Sequence, residues 1–497
     1  MSVLSSEFRV LILLVIALIV FFACACLSSP LPTASTDHVP TENWTYDAFM
    51  HLAARGLVPD VPAQRFMGDW LYSREQMASF VVIAADSLSP EVNEEDHTLL
   101  YRLAIEFLPE LKVMGASSVL KKIGSPNTRS GFVPAVSVEP RLVFSSDDNE
   151  LTGIYNLTGL GLGGKYVTAG LTLSNRRSKF GSSEFSTLEK YFIHGKTPNW
   201  EWEIGTDFLW WGPGYSGSMI LDDNSPAFPF ILLGKDFYFG RHIGYLKVTQ
   251  FASRFHDHGK PFWLLGRRWE KRFSKRFHVG ISETAKTSKT PNPLAFVLPS
   301  FYLYQHIFID DVDMEWNSFL SFDALYRFSN SFESYFDFLI DDMTAPSFLR
   351  DEPAWDIPRK FGLLLGVHWS DLLGDGTTGA WAEYIFTDNG TYGATRTDFP
   401  DLAYTHNGLI IGHPVGPNSQ ALFLRFDRRL WEGWAAAAEY LGRIPKDDNG
   451  VNPFNTHQIS LLLVRDLTPR SSITLRYDSL KQPESENRFQ LGVTYGF

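Results

Sequence analysis

The stretch richest in chemistry is Trp210-Trp211-Gly212-Pro213-Gly214-Tyr215-Ser216-Gly217-Ser218-Met219-Ile220-Leu221-Asp222-Asp223-Asn224. Such a composition suits a saccharide. Sugars offer C–H faces that stack on aromatic rings, and hydroxyls that need donors and acceptors in fixed places. Trp211 and Tyr215 would supply rings, and Asp222, Asp223 and Asn224 would bind hydroxyls. Arg267, Arg268 and Arg272 would meet acidic sugars through bidentate pairing. Two plainer accounts stay open. Turn chemistry alone explains the Asp222–Asn224 cluster, and Arg268 and Arg272 share a strand face with Glu270, which makes them candidates for ion pairs inside a lumen.

Other chemistries find less support. No EF-hand spacing accompanies the acidic cluster, and His406 and His413 lack a carboxylate–histidine spacing that would suggest a metal. The chain has no Gly-x-Ser-x-Gly elbow. No enzyme, metal or cofactor is expected.

The elements that would position these residues alternate with period two. From Pro134 to the end, short segments with one apolar and one polar face follow one another, separated by turn residues. Phe322, Ala324 and Tyr326 alternate with Ser321, Asp323 and Arg327; Leu422, Leu424 and Phe426 alternate with Phe423, Arg425 and Asp427. In the stretch leading to the tryptophan pair, Glu201, Glu203 and Asp207 take one face, and Trp202, Ile204 and Phe208 the other. In that frame Trp211 points into a lumen and Trp210 toward lipid, as a girdle residue. The final segment alternates Phe489, Leu491, Val493, Tyr495 and Phe497 with polar residues or glycine. The expectation is an antiparallel transmembrane β-barrel over 134–497, with about 16–18 strands at the usual strand-plus-connection length.

Upstream the period changes. Tyr46, Phe49, Met50, Leu52 and Ala53 recur at helical spacing, Ser73 and Gln76 form a capping box before Met77, and a third helix is expected from Glu94 to Leu111. These define a small α-helical module over 40–115, joined to the barrel by a Gly/Ser/Pro/Asn-rich linker at 116–133. At the start, Arg9 precedes an uncharged run from Val10 to Leu27, with a small-x-small pattern at Ala23-Cys24-Ala25, so 1–25 reads as a secretory signal. Acylation of Cys24 or Cys26 remains an alternative.

Composition agrees. Aromatic content is 15% with 40 Phe, 19 Tyr and 14 Trp, while mean hydropathy is only −0.10. An α-helical membrane bundle is thereby excluded, since it needs many apolar spans of roughly 20 residues. The net charge of −12 argues against a nucleic-acid partner. The only cysteines, Cys24 and Cys26, sit at the end of the N-terminal apolar run, so no disulfide framework exists.

Two resemblances add to this reading. The segment Tyr46–Val58, followed by Ser73–Ala78, resembles a single S-layer homology motif, which implies a periplasmic module with peptidoglycan as its partner; a helical plug for the barrel is the alternative. The Trp-Trp-Gly-Pro-Gly-Tyr-x-Gly-Ser-x-Ile-Leu-x-x-Asn run resembles the hallmark of the Wzi capsule-assembly family. Ile340-Asp341-Asp342, Glu383-Tyr384 and Tyr404-x-His406-x-Gly408-x-x-x-Gly412-His413 support it. That resemblance implies an 18-stranded outer-membrane barrel, closed by helices and inward loops, that anchors capsular or other surface polysaccharide without catalysis. It adds Asp341, Asp342, Tyr404 and His406 to the expected polysaccharide-binding residues. Outer-membrane lipid and the barrel assembly machinery, which reads an aromatic terminal strand, are further expected partners. A wall-anchored, carbohydrate-permeable porin is the competing function.

Overall fold

The computed structural model describes residues 44–54, 57–58, 74–88, 94–116, 118–123, 137–145, 151–158, 162–163, 167–173, 188–196, 200–238, 245–257, 259–274, 277–291, 300, 316–329, 332–342, 360–369, 372–373, 378–393, 400–430, 434–445, 455–468, 471–481 and 485–496. The expected signal (1–25), Ser73 and Phe497 lie outside the described residues.

Five helices come first among the described residues: α1 (Trp44–Ala54), α2 (Arg74–Asp86), α3 (Glu94–Glu106), α4 (Leu108–Val113) and α5 (Ser118–Ile123). Their apolar stripes converge on Phe49, whose ring meets Phe80 edge-on at 5.8 Å and Phe107 at 6.1 Å. Burying a ring of this kind stabilises by about 3 kcal/mol. The single helix expected from Glu94 to Leu111 is two, because Pro109 lies in the first turn of α4, where its missing N–H and fixed φ suit a helix start but not an interior. A second correction concerns the linker: 118–123 is helical, with Val119 and Ile123 buried one turn apart. Among the described residues no helix is long and apolar enough to cross a membrane.

Strands follow: β1 (Ser137–Ser145), β2 (Leu151–Thr158), β3 (Leu162–Gly163), β4 (Val167–Leu173), β5 (Leu188–Lys196), β6 (Trp200–Asp207) and β7 (Phe228–Tyr238). Next come β8 (Tyr245–Asp257), β9 (Lys260–Ser274), β10 (Phe277–Thr287), β11 (Trp316–Arg327), β12 (Phe332–Asp342), β13 (Lys360–Trp369) and β14 (Thr378–Thr387). A small hairpin, β15 (Thr405–His406) with β16 (Leu409–Ile410), precedes β17 (Ser419–Arg429), β18 (Trp434–Pro445), β19 (Thr456–Thr468), β20 (Ser471–Lys481) and β21 (Ser485–Gly496).

Apart from the hairpin, all of these form one 19-stranded antiparallel sheet. The two-residue β3 pairs only with β4, which leaves 18 principal strands among the described residues. β21 pairs with β20 and also with β1, so the series of pairings returns to its first strand. Its thinnest seam is β2 against β4, where only Leu157↔Leu173 and Thr158↔Thr172 are in register.

The period-two pattern becomes two faces. On β12, Glu333, Tyr335, Asp337, Leu339 and Asp341 point inward and are buried, while Phe336 between them is exposed. Outward residues such as Ile231 (56% accessible) and Leu365 (47%) form an apolar wall, as lipid-facing strands require. At the end where connections are short, aromatic rings ring the wall: Trp200, Phe273, Phe328, Phe332, Trp369 and Trp434. Cations lie over three of them, Lys235 4.5 Å from Trp200, Lys271 5.6 Å from Phe273 and Arg465 4.9 Å from Trp434. Amphipathic cations over rings at this level match a membrane–water interface. At the opposite end, connections 208–227 and 388–418 are long, and both turn into the lumen.

Candidate functional site

Connection 208–227 begins as β6 ends, with Phe208 N donating to Asp207 Oδ1 at 2.7 Å. An antiparallel bridge between Trp211 and Leu221 then closes it on itself (Trp211 N to Leu221 O, 3.1 Å). Inside the closed loop Ser218 N donates to Asp222 Oδ2 at 2.8 Å, and Ser218 Oγ donates to Trp211 O. The acidic cluster thus performs the turn chemistry its composition allows. Glycine is required at 217, since a Cβ there would lie 2.7 Å from His413 Cδ2 and 2.8 Å from Asp222 Oδ2. The Trp211 ring packs edge-on against Phe251 of β8 at 5.3 Å.

Connection 388–418 clasps this loop. Asp222 N donates to Ile411 O at 2.8 Å and Asn224 Nδ2 to Ile410 O at 3.0 Å. Tyr392 Oη donates to Met219 O at 2.7 Å, and Tyr404 Oη to Ile220 O at 2.9 Å. Burial pushes both phenols above their ordinary pKa, so they stay protonated and keep donating. His406 Nδ1 lies 3.1 Å from Pro226 O. A carbonyl only accepts, so the ring carries its proton on Nδ1. Burial lowers the His406 pKa, which keeps the imidazole neutral.

Buried side chains fasten the paired loops to the wall. Glu383 of β14 accepts from Tyr215 N (2.5 Å), Ser216 N (2.8 Å), Ser216 Oγ and Tyr335 Oη (2.6 Å). Asp337 of β12 accepts from Met219 N at 2.9 Å and Ser321 Oγ at 2.5 Å. Asp341 accepts from Tyr392 N at 2.7 Å. Lys286 of β10 donates to Asp257 Oδ2 (2.8 Å) and to the carbonyls of Ala403 (2.8 Å) and Thr405 (2.9 Å). Phe319 of β11 lies 4.2 Å from the Tyr404 ring. The result is a two-loop plug fastened to the β7–β14 side of the lumen.

The plug holds one constellation with a catalytic look, and its hydrogen bonds argue against catalysis. Ser216 Oγ is 3.4 Å from His413 Nε2. Val415 N, however, donates to His413 Nδ1 at 3.1 Å, so the proton sits on Nε2 and that nitrogen cannot act as a base toward the serine. The hydroxyl instead donates to Glu383. Among the described residues no group of three or more His, Cys, Asp or Glu side chains is arranged to hold a metal ion.

The residues expected to bind polysaccharide occupy distinct places. Trp211, Asp222, Asn224, Asp341, Tyr404 and His406 are buried and hold the plug together, while Asp223 is half-buried beside them. Arg268 is buried on the inner face of β9. It makes a bidentate pair with Asp323 at 2.6 and 3.1 Å, bonds Ser282 Oγ at 2.7 Å and lies 3.3 Å from Glu270. The ion-pair account of this arginine is the one the structure supports. Arg267 falls on the outer face, paired with Glu283 at 3.4 Å, whose other oxygen accepts from Ser300 Oγ at 2.6 Å. Arg272 lies in β9 opposite His278 and Asp342 ends β12; their side chains are outside the described residues. Trp210 is half-buried just past the end of β6, and its Nε1 donates to Gly212 O at 3.2 Å. Tyr215 is half-buried at the tip of the loop, its ring 5.0 Å from Trp381, 5.7 Å from Phe423 and 5.2 Å from the Arg425 guanidinium. No sequence motif marks the anchors Asp337, Lys286 and Tyr392. Their only signal there is a charged or hydroxyl group at an inward position or in a connection.

Comparison with known proteins bears on this arrangement. The family model described as capsule assembly protein Wzi matches residues 135–478. Among solved structures, Wzi of Escherichia coli, described as an outer membrane protein involved in group 1 capsule assembly and a carbohydrate-binding β-barrel, is similar at 15% identity. The match has a TM-score of 0.66 and covers 93% of this chain and 99% of that one. Pseudomonas aeruginosa OccK10 (OpdN) is more distantly similar, at 9% identity and TM-score 0.45 over 73% of this chain and 98% of that one. No curated protein matches the sequence. The family match spans well over half of the chain, which belongs to the capsule assembly protein Wzi family.

Proposed function

We propose that this member of the Wzi family is a non-catalytic outer-membrane protein that holds capsular or other surface polysaccharide at the cell surface. The observation that carries the reading is the plug. Two long connections enter the lumen and are locked to its wall by buried carboxylates and a buried lysine. Loops locked into the lumen in this way narrow it and present a fixed surface there, which favours a holding function over the porin alternative. The apolar outer wall with its cation-capped aromatic ring supports insertion in outer-membrane lipid. In that setting the long connections face outward, and the helices α1–α5, with their resemblance to an S-layer homology motif, lie in the periplasm with peptidoglycan as a partner. The barrel assembly machinery acts during biogenesis.

Within the plug, Tyr215 and Asp223 keep part of their surface open and are the motif residues best placed to touch a sugar. Trp211, Asp222, Asn224, Asp341, Tyr404 and His406 support such contacts from behind. Deletion tests the proposal: cells lacking the protein should synthesise and export the polymer normally but shed it into the medium. Unchanged surface retention would refute the function. Conductance of porin size for the purified protein in planar bilayers would favour the alternative.

A further inference from the structure

The plug is off-centre. Its anchors come from β7–β14, and on the far side of Tyr215 the inner face of β17–β21 carries a row of polar residues whose charged members are partly open to solvent. Consecutive inward residues there stand directly opposite one another across the ladder: Arg425↔Glu439, Glu439↔Ser460, Ser460↔Asp478 and Asp478↔Arg488. The same row continues backward through Trp381, His368 and Glu333. The charged groups of the two halves differ in exposure. Glu333 and His368 side chains are each 2% accessible, against 13% for Arg425, 23% for Glu439 and 37% for Arg476 beside them.

Charges along the open half are paired in place. Arg425 bonds Glu439, Arg476 Nε bonds Asp478 at 2.9 and 3.0 Å, Arg488 bonds Glu486, and Ser460 Oγ bonds Asp478 at 2.6 Å. Three cations meet four carboxylates, since Asp427 also lies 3.5 Å from Arg425, so the belt has no positive excess to attract a strongly anionic ligand. It still offers guanidinium donors alternating with carboxylate acceptors, in groups that remain partly hydrated. Neighbouring hydroxyls of a sugar are matched by that alternation, since each both donates and accepts. The half-exposed Tyr215 ring, with Arg425 over it, stands at the edge as a face for C–H stacking. Toward the long connections the wall is covered: Val415 and Thr456 are buried, and Arg443 Nε donates to Ser419 Oγ at 3.1 Å.

We infer that the β17–β21 wall is a second saccharide seat, a groove approached from the short-turn end that holds a neutral, hydroxyl-rich segment of glycan beneath the plug. The inference rests on the polysaccharide-binding reading above and deepens it, by assigning a site on the side of the plug away from the long connections.

The test uses the full chain in detergent, with Cys24→Ser and Cys26→Ser removing the native thiols and Gln490→Cys placing one beside Asp478, which Gln490 Nε2 now bonds at 3.3 Å. The probe is an oligosaccharide mixture from mild hydrolysis of the producing strain's own surface polysaccharide. A charged, water-soluble thiol reagent should modify the new cysteine. The oligosaccharides should slow that reaction saturably, and Arg476→Gln should abolish the protection while leaving heat-modifiable migration on gels unchanged. A cysteine that is unreactive, or reactive without protection although the protein binds intact polysaccharide, overturns the second seat alone. Failure of the protein to bind the polysaccharide in any form overturns the holding function and the seat with it.

Discussion

Glu383→Ala should unclip the plug without unfolding the barrel. The carboxylate is buried and accepts from four donors, Tyr215 N, Ser216 N, Ser216 Oγ and Tyr335 Oη. Each hydrogen bond to a charged acceptor is worth about 1.5–3 kcal/mol, and a donor left buried without a partner costs about 1–3 kcal/mol. The four share one acceptor and are not additive, so roughly 3–5 kcal/mol is a reasonable sum for losing the clip. At the lower bound the population with the Tyr215–Ser216 tip detached rises about 150-fold, since 1.4 kcal/mol is about tenfold. The barrel itself should persist, because its ladder hydrogen bonds do not pass through this side chain. Two measurements read the change. Hydrogen exchange at the Ser216 and Met219 amides should accelerate by about two orders of magnitude, and planar-bilayer recordings should show intermittent openings absent from the parent. Glu383→Gln, which keeps one acceptor oxygen, should fall between. A correctly folded Glu383→Ala protein with parental exchange at Ser216 and no added conductance would refute the view that this carboxylate fastens the plug.

Asp337→Ala removes the acceptor of Met219 N and Ser321 Oγ and should produce a smaller acceleration of exchange, centred on Met219. Lys286→Met leaves Asp257 buried beside a lost cation and should cost about 3–5 kcal/mol, with much of that recovered in the Lys286→Met, Asp257→Leu double variant; thermal midpoints of heat-modifiable migration measure both. His406 contributes a pH dependence. Its folded pKa lies below the ordinary value of about 6.5, so between the two values the unfolded state binds more protons, and stability falls as pH drops below about 6.5. His406→Gln should flatten that acid limb in a thermal-midpoint profile; an unchanged limb would exclude His406 as its source. Trp211→Ala empties a buried site against Phe251 and should destabilise the plug by about 3–5 kcal/mol, so any loss of polysaccharide binding should come with faster exchange across 208–227.

The sequence by itself determined the faces. Side chains in a strand alternate strictly, so a run such as Leu422-Phe423-Leu424-Arg425-Phe426-Asp427 states which residues meet lipid and which meet the lumen before any partner strand is known. Helical spacing likewise marked Phe49 and Leu52 as core. Pro109 carried the signal for a helix break, and Val119 with Ile123 that for an added turn, both readable in retrospect. The motif at Trp210–Asn224 identified the family, but its composition fitted an open sugar site and a folded turn equally well. Only the tertiary structure decided between them, because a residue outside regular structure has no period to fix its direction. Burial of Trp211, Asp222 and Asn224 follows from where connection 388–418 lies, through Ile410, Ile411 and Tyr404, nearly two hundred residues later in the chain. The same holds for Glu383: as a charge at an inward strand position it was legible, but the loop tip it grips is brought to it only by the folding of the lumen.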